Sequence, residues 1–420
     1  MKQNFDFLKK IELPGFEGVN AYEMLYTYFT FSSFKKRRFV FLRKIIKFLR
    51  AIFLVRYAKA GSGKKLAIIY SRSVGLRPDH FKNARSILKI MEMESCLFYP
   101  SRVLSFNFGV FSSFLLIKKW KIVLKNNGLS NATIDLICWK LFQIKTEGDY
   151  LFSKLSHYSS ILTYCDVIAI DYYLTYLANK AHKQTITVQH CIFPENGYQY
   201  KHLHSNFFIA NSNESYKRAK IIGIKNVSVG GWISDLFLPE IIKVKTNKCF
   251  GVILDGSYSS EDTKNKNIEM LIQSYKLCKE KNMTMIIRYH PFDLREGNVL
   301  HKSLGFDESS VQVSPSSERL YDFFEKSDFV ILNRSSCIYS AINLLEPFCK
   351  FGSDNAISLE CDTFTSYEEL VKIVNVGYNL DKLKRIKRTF FGKNCRNTEE
   401  NYRDILLEII NKKKVEEKTK

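Results

Sequence analysis

The chain has 420 residues, 45% of them hydrophobic and 25% charged, and its formal net charge is +22. That composition excludes a disordered or fibrous protein, and the length predicts two or three domains, each with its own core. No stretch reaches the roughly 18 uncharged apolar residues that span a bilayer, and the first residues lack the apolar run of a secretory signal. We therefore expect a cytoplasmic protein. Its ten cysteines are expected to be thiols, because they are scattered and form no metal-type pair.

Positive charge is concentrated near the N-terminus. No acidic residue lies between Glu23 and Asp79, whereas this stretch holds fourteen basic residues. Within it, apolar side chains recur at helical spacing with basic ones on another side, which predicts a cationic amphipathic helix. The apolar positions are Leu42, Ile45, Ile46, Leu49, Ile52 and Phe53.

Such a helix has two alternative roles. It can lie on an anionic membrane surface, or it can pack its apolar stripe against a first domain and leave its basic face in solvent. We predict peripheral attachment through residues 35–56 to the inner face of the cytoplasmic membrane. Nucleic acid is not an expected partner, because no zinc finger, RNP-type aromatic motif or basic zipper accompanies the charge.

The first regular series of elements runs to residue 231. A strand is predicted over 66–70, after a Gly-Ser connection that lacks the spacing of a phosphate loop. From about residue 160, apolar β-rich runs alternate with helical ones, as in a doubly wound parallel sheet. The predicted strands are 167–171, 185–189, 207–210 and 226–229, and the predicted helices are 172–182 and 214–222.

A second series follows residues 232–248, which break the pattern and predict a linker. The predicted strands are 250–254, 284–289, 311–313, 329–332 and 348–351, and the predicted helices are 266–279, 318–324 and 337–345. Two such series predict an α/β protein with two Rossmann-like domains that face a cleft. Ligands of such folds bind at the carboxyl ends of the strands.

These patterns divide the chain into five predicted parts. They are a basic N-terminal segment at 1–65, a Rossmann-like domain at 66–231, the linker at 232–248, a second Rossmann-like domain at 249–390, and a C-terminal helix with a Lys-rich tail at 391–420. We expect the tail after Asn411 to be frayed.

Three predicted strands end in residues suited to chemistry. The three ends are Gln189-His190-Cys191, His290-Pro291 and Asn333-Arg334-Ser335-Ser336. A histidine directly after a buried strand can donate to a phosphate or take a proton near neutral pH. Proline prevents a helix from starting there and fixes how the imidazole leaves the strand. Serines that open a helix can cap it, or they can form an anion site with the free amide groups.

These motifs resemble those of a known family. His290-Pro291 after a strand, with Ser335-Ser336 about 45 residues later at a helix start, resembles the nucleotide-binding half of GT-B glycosyltransferases of bacterial surface polysaccharides. Similar motifs occur in bacterial sialyltransferases, in capsule polymerases and in the CDP-glycerol glycerophosphotransferases of teichoic acid synthesis. Gln189-His190 resembles the Gln-His-Gly that closes the acceptor domain in the last two groups. The resemblance covers roughly residues 160–390.

The chain also departs from those patterns. Cys191 stands where the family has glycine, Ser340 stands where it has a glutamate, and Leu345-Glu346-Pro347 replaces a Gly-Lys-Pro motif. Leu254-Asp255-Gly256 matches only part of an acidic sialyltransferase motif, and in a different domain. Without that glutamate, a ribose contact from this helix is not expected. The nucleotide of the donor therefore stays open, with CMP- or CDP-linked donors favoured.

The resemblance implies an inverting glycosyltransferase. It would move a sugar, or a glycerol-phosphate-type unit, from a nucleotide donor to a glycan or lipid-linked glycan acceptor of a capsule, O-antigen or lipooligosaccharide. The first Rossmann-like domain would then bind the acceptor and the second the nucleotide. No cofactor and no metal ion are expected, because no pair of carboxylates is clustered at a strand end.

The resemblance also implies roles for individual residues. His290, Ser335 and Ser336, with Arg288 or Arg334, would stabilise the leaving phosphate, Pro291 would fix His290, and the loop Asp255-Gly256-Ser257 would close over the nucleotide. His190 is the candidate base or a group that binds the acceptor, and Asp171 and Asp255 are further candidates for the base. Arg288 and Arg334 can instead pair with structural carboxylates.

Two other functions remain open at this point. A nucleotide-sugar 2-epimerase shares the two-domain fold, and a non-catalytic scaffold of a membrane polysaccharide complex would use the basic N-terminal helix. Release of a free epimerised sugar without an acceptor would indicate the first, and failure to bind any nucleotide would indicate the second.

Overall fold

The computed structural model describes most of the chain. The described residues are 6–25, 53–71, 73, 78–106, 109–164, 169–189, 193, 200, 203–241, 246, 248–256, 261–290, 293, 299–352, 361–392 and 398–416. Elements are numbered in chain order within these ranges. None of the described helices has both the length and the apolarity needed to cross a membrane.

The first domain is built on a sheet to which the described residues contribute seven strands, in the order β1-β3-β2-β4-β5-β6-β7. β1 is antiparallel to β3, and the other neighbours are parallel. The strands are β1 Phe53–Ala60, β2 Leu66–Ile69, β3 Ser95–Phe106, β4 Ser160–Thr163, β5 Gln184–Val188, β6 Phe207–Ala210 and β7 Val227–Val229. β2 and β4 are buried at every position, as in parallel sheets covered on both faces.

Five described helices cover this sheet. They are α1 Pro78–Ile90, α2 Gly109–Lys125, α3 Asn131–Lys154, α4 Ala169–Lys180 and α5 Asn213–Ile221. Serine caps begin two of them, since Ser130 accepts from the Thr133 N–H and Ser212 from the Ser215 N–H. Gly148 allows α3 to approach α4, because a Cβ at this position would lie 2.6 Å from the Tyr173 ring.

The second domain has a purely parallel sheet of six described strands, in the order β10-β9-β8-β11-β12-β13. This is the strand order of a doubly wound Rossmann fold. The strands are β8 Cys249–Ile253, β9 Thr284–Arg288, β10 Val311–Val313, β11 Val330–Leu332, β12 Phe348–Phe351 and β13 Thr363–Phe364. The helices are α6 Glu261–Lys281, α7 Leu300–Ser303, α8 Leu320–Lys326, α9 Cys337–Leu344, α10 Tyr367–Val376, α11 Leu380–Phe391 and α12 Thr398–Glu416.

Helix α12 follows the second domain in sequence but packs in the first. Tyr402, Leu406, Ile409 and Ile410 are buried in the first hydrophobic core. Gly230 makes room for this contact, because a Cβ there would lie 2.7 Å from the Tyr402 ring. The last helix therefore belongs to the core of the first domain.

The segment after β7 is packed between the domains. The Trp232 ring stacks on Tyr339 of α9 with centroids 4.8 Å apart, and its Nε1 donates to Ser340 Oγ at 2.9 Å. Ile233 lies in the first core, and the Ile241 N–H donates to the Leu344 carbonyl at 2.7 Å. Residues that the sequence predicts as a linker thus form part of the domain contact.

The predicted fold class, two Rossmann-like domains in an α/β protein, is confirmed. One predicted strand is wrong, however, because residues 169–171 form the first turn of α4 and the neighbouring strand is β4. A short apolar run fits a buried strand and a helix packed on a sheet equally well. Asp171 also lies in the first turn of α4, where a carboxylate is favoured by the helix dipole.

The N-terminal boundary of the first domain is also earlier than predicted. β1 includes Phe53 and Arg56, which the sequence places in the amphipathic helix. Residues 6–25 pack on the same domain, since the Phe16 ring lies 4.9 Å from Tyr173 and 5.7 Å from Trp120. The separate segment 1–65 is thus corrected for its described parts. The remainder of the predicted membrane-binding helix, residues 35–52, lies outside the described residues.

The C-terminal tail differs from its prediction as well. α12 continues to Glu416, so the residues directly after Asn411 are helical instead of frayed. Packing of its apolar side chains on the first domain stabilises the helix, which its lysine-rich end does not reveal.

Candidate functional site

The topology brings together the ends of strands that are distant in sequence. In the second sheet the strand order reverses between β8 and β11, and such a switch point opens a crevice at the carboxyl ends. Asp255 follows β8, and Arg334 follows β11. The Arg334 N–H donates to Asp255 Oδ2 at 3.0 Å. Two predicted site residues therefore meet directly across the switch point.

Helix α9 starts at the same place. The Cys337 N–H donates to Ser335 Oγ at 3.4 Å, and Ser336, the N-cap residue, makes no side-chain cap hydrogen bond. Ser335 and Ser336 are both half-buried. The first turn of a helix presents unsatisfied amide groups and the positive end of the dipole. The start of α9 can therefore bind an anion with amide groups and the Ser336 hydroxyl.

Charges of both signs surround this helix start. Desolvation raises the pKa of the Cys337 thiol, the Arg288 guanidinium lowers it, and the carboxylates of Asp255 and Asp235 raise it further. Cys337 is therefore a neutral thiol at pH 7, and its neighbours include one cation and two anions.

His290 lies at the adjacent strand end. It follows β9, which is hydrogen-bonded to β8, and its side chain is half-buried. Gly256 is half-buried next to Asp255. The predicted partners Pro291 and Ser257 lie outside the described residues. The ends of β9, β8 and β11 thus place His290, Asp255 and Arg334 side by side in that order.

Arg288 has a structural contact. Its guanidinium donates to Ser314 Oγ at 3.0 Å and to the Glu318 carbonyl at 3.0 Å. The Glu318 carboxylate in turn accepts from Ser314 Oγ at 2.6 Å and pairs with Lys326. Arg288 is thus hydrogen-bonded within the second domain to a hydroxyl and a backbone carbonyl, and its role at the phosphate stays a prediction.

The first sheet has an equivalent switch point, between β2 and β4. Asp171, in the helix after β4, accepts hydrogen bonds from the hydroxyls of Ser71 and Ser73, which follow β2. The Asp171 N–H also donates to Ser73 Oγ at 2.8 Å. Asp171 is only 3% exposed. Asp171, a further candidate for the base, is therefore a buried carboxylate whose hydrogen bonds link the end of β2 to the start of α4.

The carboxyl edges of the two sheets meet at Gln189. Its Nε2 donates to the Tyr339 hydroxyl of α9 at 3.5 Å, and its Oε1 accepts from the Asn211 N–H at 2.9 Å. Gln189 is fully enclosed at 2% exposure. His190, the candidate base, lies outside the described residues, directly after this domain contact.

Ser340 occupies the position where the related pattern has glutamate. It is buried and accepts from Trp232 Nε1. Burial raises the pKa of the nearby Asp235 carboxyl, against the lowering effect of hydrogen bonds from Ser340 and Trp232. Asp235 Oδ2 has no hydrogen-bond partner among the described residues. This side of α9 therefore faces the domain contact, with a buried carboxyl beside it.

Replacing Asp235 with asparagine is expected to change stability in a pH-dependent way. A carboxyl with a raised pKa in the folded protein binds protons that the unfolded chain releases, so wild-type stability falls as pH rises from about 3.8 through the folded pKa. Asp235→Asn removes that loss. The melting temperature of the variant relative to wild type should therefore increase between pH 4 and pH 7.

The control is Asp404→Asn, because Asp404 is exposed on α12. It makes the same chemical change at an exposed position and provides the baseline against which the pH dependence of Asp235→Asn is compared. A constant deficit for Asp235→Asn at every pH would contradict the assignment and point to lost hydrogen bonds alone.

Several residues of this region are not among the sequence-predicted candidates. They are Ser71, Ser73, Asn211, Asp235 and Tyr339. Asn211 directly follows the predicted strand 207–210, so its position after a strand was an available signal. Its carboxamide is fully buried, and neither polar atom has a partner within the described ranges. Asn333 Oδ1, after β11, is likewise buried and has no hydrogen-bond partner among the described residues.

A separate cavity of about 930 Å³ lies between α5 and α11. Its lining includes Lys217, Arg385 and Arg388 but none of the strand-end residues described above. No group of three or more histidine, cysteine, aspartate or glutamate side chains among the described residues is arranged to hold a metal ion.

Comparison with known proteins identifies the fold. No family model matches the chain, and no curated protein sequence matches it. Solved structures do match. The S. aureus protein MnaA in a co-structure with UDP has a TM-score of 0.53 at 12% identity, over 83% of this chain and 96% of that one.

Two further solved structures are similar to this chain in fold at low sequence identity. The UDP-N-acetylglucosamine 2-epimerase of Rickettsia bellii has a TM-score of 0.51 at 14% identity, over 83% of this chain and 96% of that one. The UDP-GlcNAc 2-epimerase of Neisseria meningitidis bound to UDP-GlcNAc has a TM-score of 0.51 at 12% identity, over 83% and 99%. The fold is GT-B-like. At these identities the similarity extends to the whole two-domain architecture and to nothing finer.

Proposed function

We propose that the protein is a nucleotide-sugar-dependent glycosyltransferase of a bacterial surface glycan that acts by inversion and without a metal ion. The observation that carries this proposal is the switch point of the second sheet, where Asp255, the start of α9 and His290 occupy three adjacent strand ends. Amide groups and the Ser336 hydroxyl suit a phosphate, and Asn333 Oδ1 is an acceptor for a donor hydroxyl.

In the proposed reaction, an acceptor hydroxyl oxygen attacks the anomeric carbon as the bond from that carbon to the phosphate oxygen breaks. A base takes the hydroxyl proton, and the departing nucleotide phosphate carries the bonding electron pair. His290, Ser335, Ser336 and Arg334 are proposed to stabilise that phosphate. His190 is proposed as the base, because Gln189 brings the end of β5 against α9.

The loop Asp255-Gly256-Ser257 is proposed to cover the nucleotide. The Asp255 carboxylate accepts a hydrogen bond from the Arg334 N–H. This bond fixes the position of the start of α9 before a ligand binds. The acceptor is proposed to bind in the first domain, near the hydrogen bonds that Ser71 and Ser73 donate to Asp171.

Nucleotide binding gives the first test. Thermal melting of the full chain would be recorded with CMP, CDP, UDP and GDP, UDP being the nucleotide in the MnaA co-structure. A ligand at about 100 times its dissociation constant adds about 2.7 kcal/mol of stability, so one nucleotide should raise the melting temperature by several degrees. If none of the four does so, the scaffold hypothesis is favoured over any nucleotide-dependent enzyme.

A 2-epimerase is the second candidate, because the structures with the same overall fold include two proteins described as 2-epimerases. Epimerisation at C2 breaks and remakes a C–H bond, whereas transfer leaves C2 untouched. The protein would be incubated with a nucleotide sugar that it binds, in D₂O and without acceptor. Deuterium at C2 and an epimerised sugar would support the epimerase, and nucleotide release that depends on an added glycan acceptor would support transfer.

The proposed transfer needs no metal ion, so full transfer activity is expected in the presence of EDTA.

A further inference from the structure

Helix α2 in the first domain has large apolar side chains on its outward face. Phe111 is 54% exposed, Phe114 45%, Leu115 71% and Ile122 55%. These residues are spaced at three, four and seven positions, which places them on one side of a helix. Between the first and the last, this side is about 16 Å long at 1.5 Å per residue.

The same face carries lysines. Lys118, Lys119, Lys121 and Lys125 are all exposed, and α2 contains no acidic residue. Lys121 pairs with Asp135 of α3 at 2.7 Å. Each of the other three lysines lacks a carboxylate partner among the described side chains. The outward face is therefore both apolar and cationic.

The opposite face of α2 is the one that holds the helix on the domain. Trp120 and Leu124 are fully buried in the first core, and Trp120 Nε1 donates to the Pro14 carbonyl at 2.7 Å. Packing on the core thus accounts for the inner apolar residues, and the Phe114 ring also makes an edge contact with the buried Phe142 ring at 6.5 Å, but Leu115 and Ile122 remain 71% and 55% exposed.

We propose that the outward face of α2 docks on an anionic membrane surface. Apolar side chains would enter the boundary between headgroups and acyl chains, and the lysines would contact lipid phosphates. Charge complementarity selects this occupant. A second copy bound face to face would oppose lysines to lysines with no acid on either helix, which is unfavourable. The inference depends neither on the proposed function nor on residues 35–52.

Vesicle partitioning of the full chain tests the proposal. The vesicles are phosphatidylcholine alone and phosphatidylcholine mixed with phosphatidylglycerol, at low and high salt. Wild type should bind the anionic vesicles, and salt should weaken the binding. The double variant Leu115→Gln/Ile122→Gln should bind them at least about tenfold more weakly, because two insertable side chains are lost.

The matched control is Ile221→Gln/Val376→Gln, which makes the same kind of change at positions 82% and 81% exposed outside α2. It should partition as wild type does. Partitioning of the α2 variant within twofold of wild type would overturn the proposal, as would absence of wild-type binding. Sedimentation that shows a dimer lost in the α2 variant would also overturn it and make this face an interface between copies.

Discussion

Replacing His290 with alanine is expected to lower kcat/KM for sugar transfer by roughly 10² to 10⁴, the range attributed to a positioned acid or hydrogen-bond donor. The imidazole follows β9 and lies beside the strand ends that carry Asp255 and the start of α9. In the proposed reaction, the departing phosphate would then lose one of the groups proposed to donate to it as charge develops. Initial rates of nucleotide release, measured with a donor from the binding panel, would show the loss.

Two controls separate this effect from misfolding. His157→Ala removes an exposed histidine of the first domain and should leave the rate unchanged. The melting temperature of His290→Ala should match wild type closely, because His290 is half-buried after a strand rather than in a core. Wild-type turnover by His290→Ala would remove His290 from the site.

Replacing Tyr402 with alanine is expected to cost about 3–5 kcal/mol of the free energy of unfolding of the first domain, as for other large buried aromatics. Its ring is completely enclosed and packs on Gly230, so truncation leaves a cavity between α12 and β7. At about 2–4 °C per kcal/mol for a domain of this size, the melting temperature should fall by about ten degrees.

Tyr402→Phe is the matched control. It keeps the ring and removes only the hydroxyl, whose hydrogen bond to the Gly231 carbonyl is long at 3.5 Å, so the cost should be below about 1 kcal/mol. Urea unfolding followed by fluorescence would measure both variants. Equal stability of Tyr402→Ala and wild type would mean that α12 does not contribute to the core of the first domain.

The contact between the domains lies beside the candidate site. The segment after β7 contacts α9 through Trp232, and Gln189 contacts Tyr339 where the carboxyl edges meet. Tyr339 also stacks on Trp232, so one side chain contacts both the linker and the end of β5. Ser340, next in sequence, bonds the same tryptophan. The glutamate of the related pattern is thus replaced by a residue that serves the domain contact.

Local pattern was sufficient for the elements with a strong periodic signal. The sequence predicts most strands of the second domain: β9, β10 and β12 begin at their predicted first residues, and α9 begins at Cys337 as predicted, whereas β13, α7, α10 and α11 are not among the predicted elements. It also placed Asp255, His290 and Ser335-Ser336 directly after strands, because apolar runs that end in polar residues mark where parallel strands stop.

The other features depend on contacts between distant parts of the chain. The sequence does not show that β4 is Ser160–Thr163 and that the apolar run after it opens α4, because burial on both faces erases the difference in period. Nor does it show that Asp171 meets Ser71 and Ser73, about 100 positions away, or that α12 returns to the first core. These contacts depend on strand order and helix packing. The residues that meet are distant in the chain, and the local sequence around each of them does not indicate its partner.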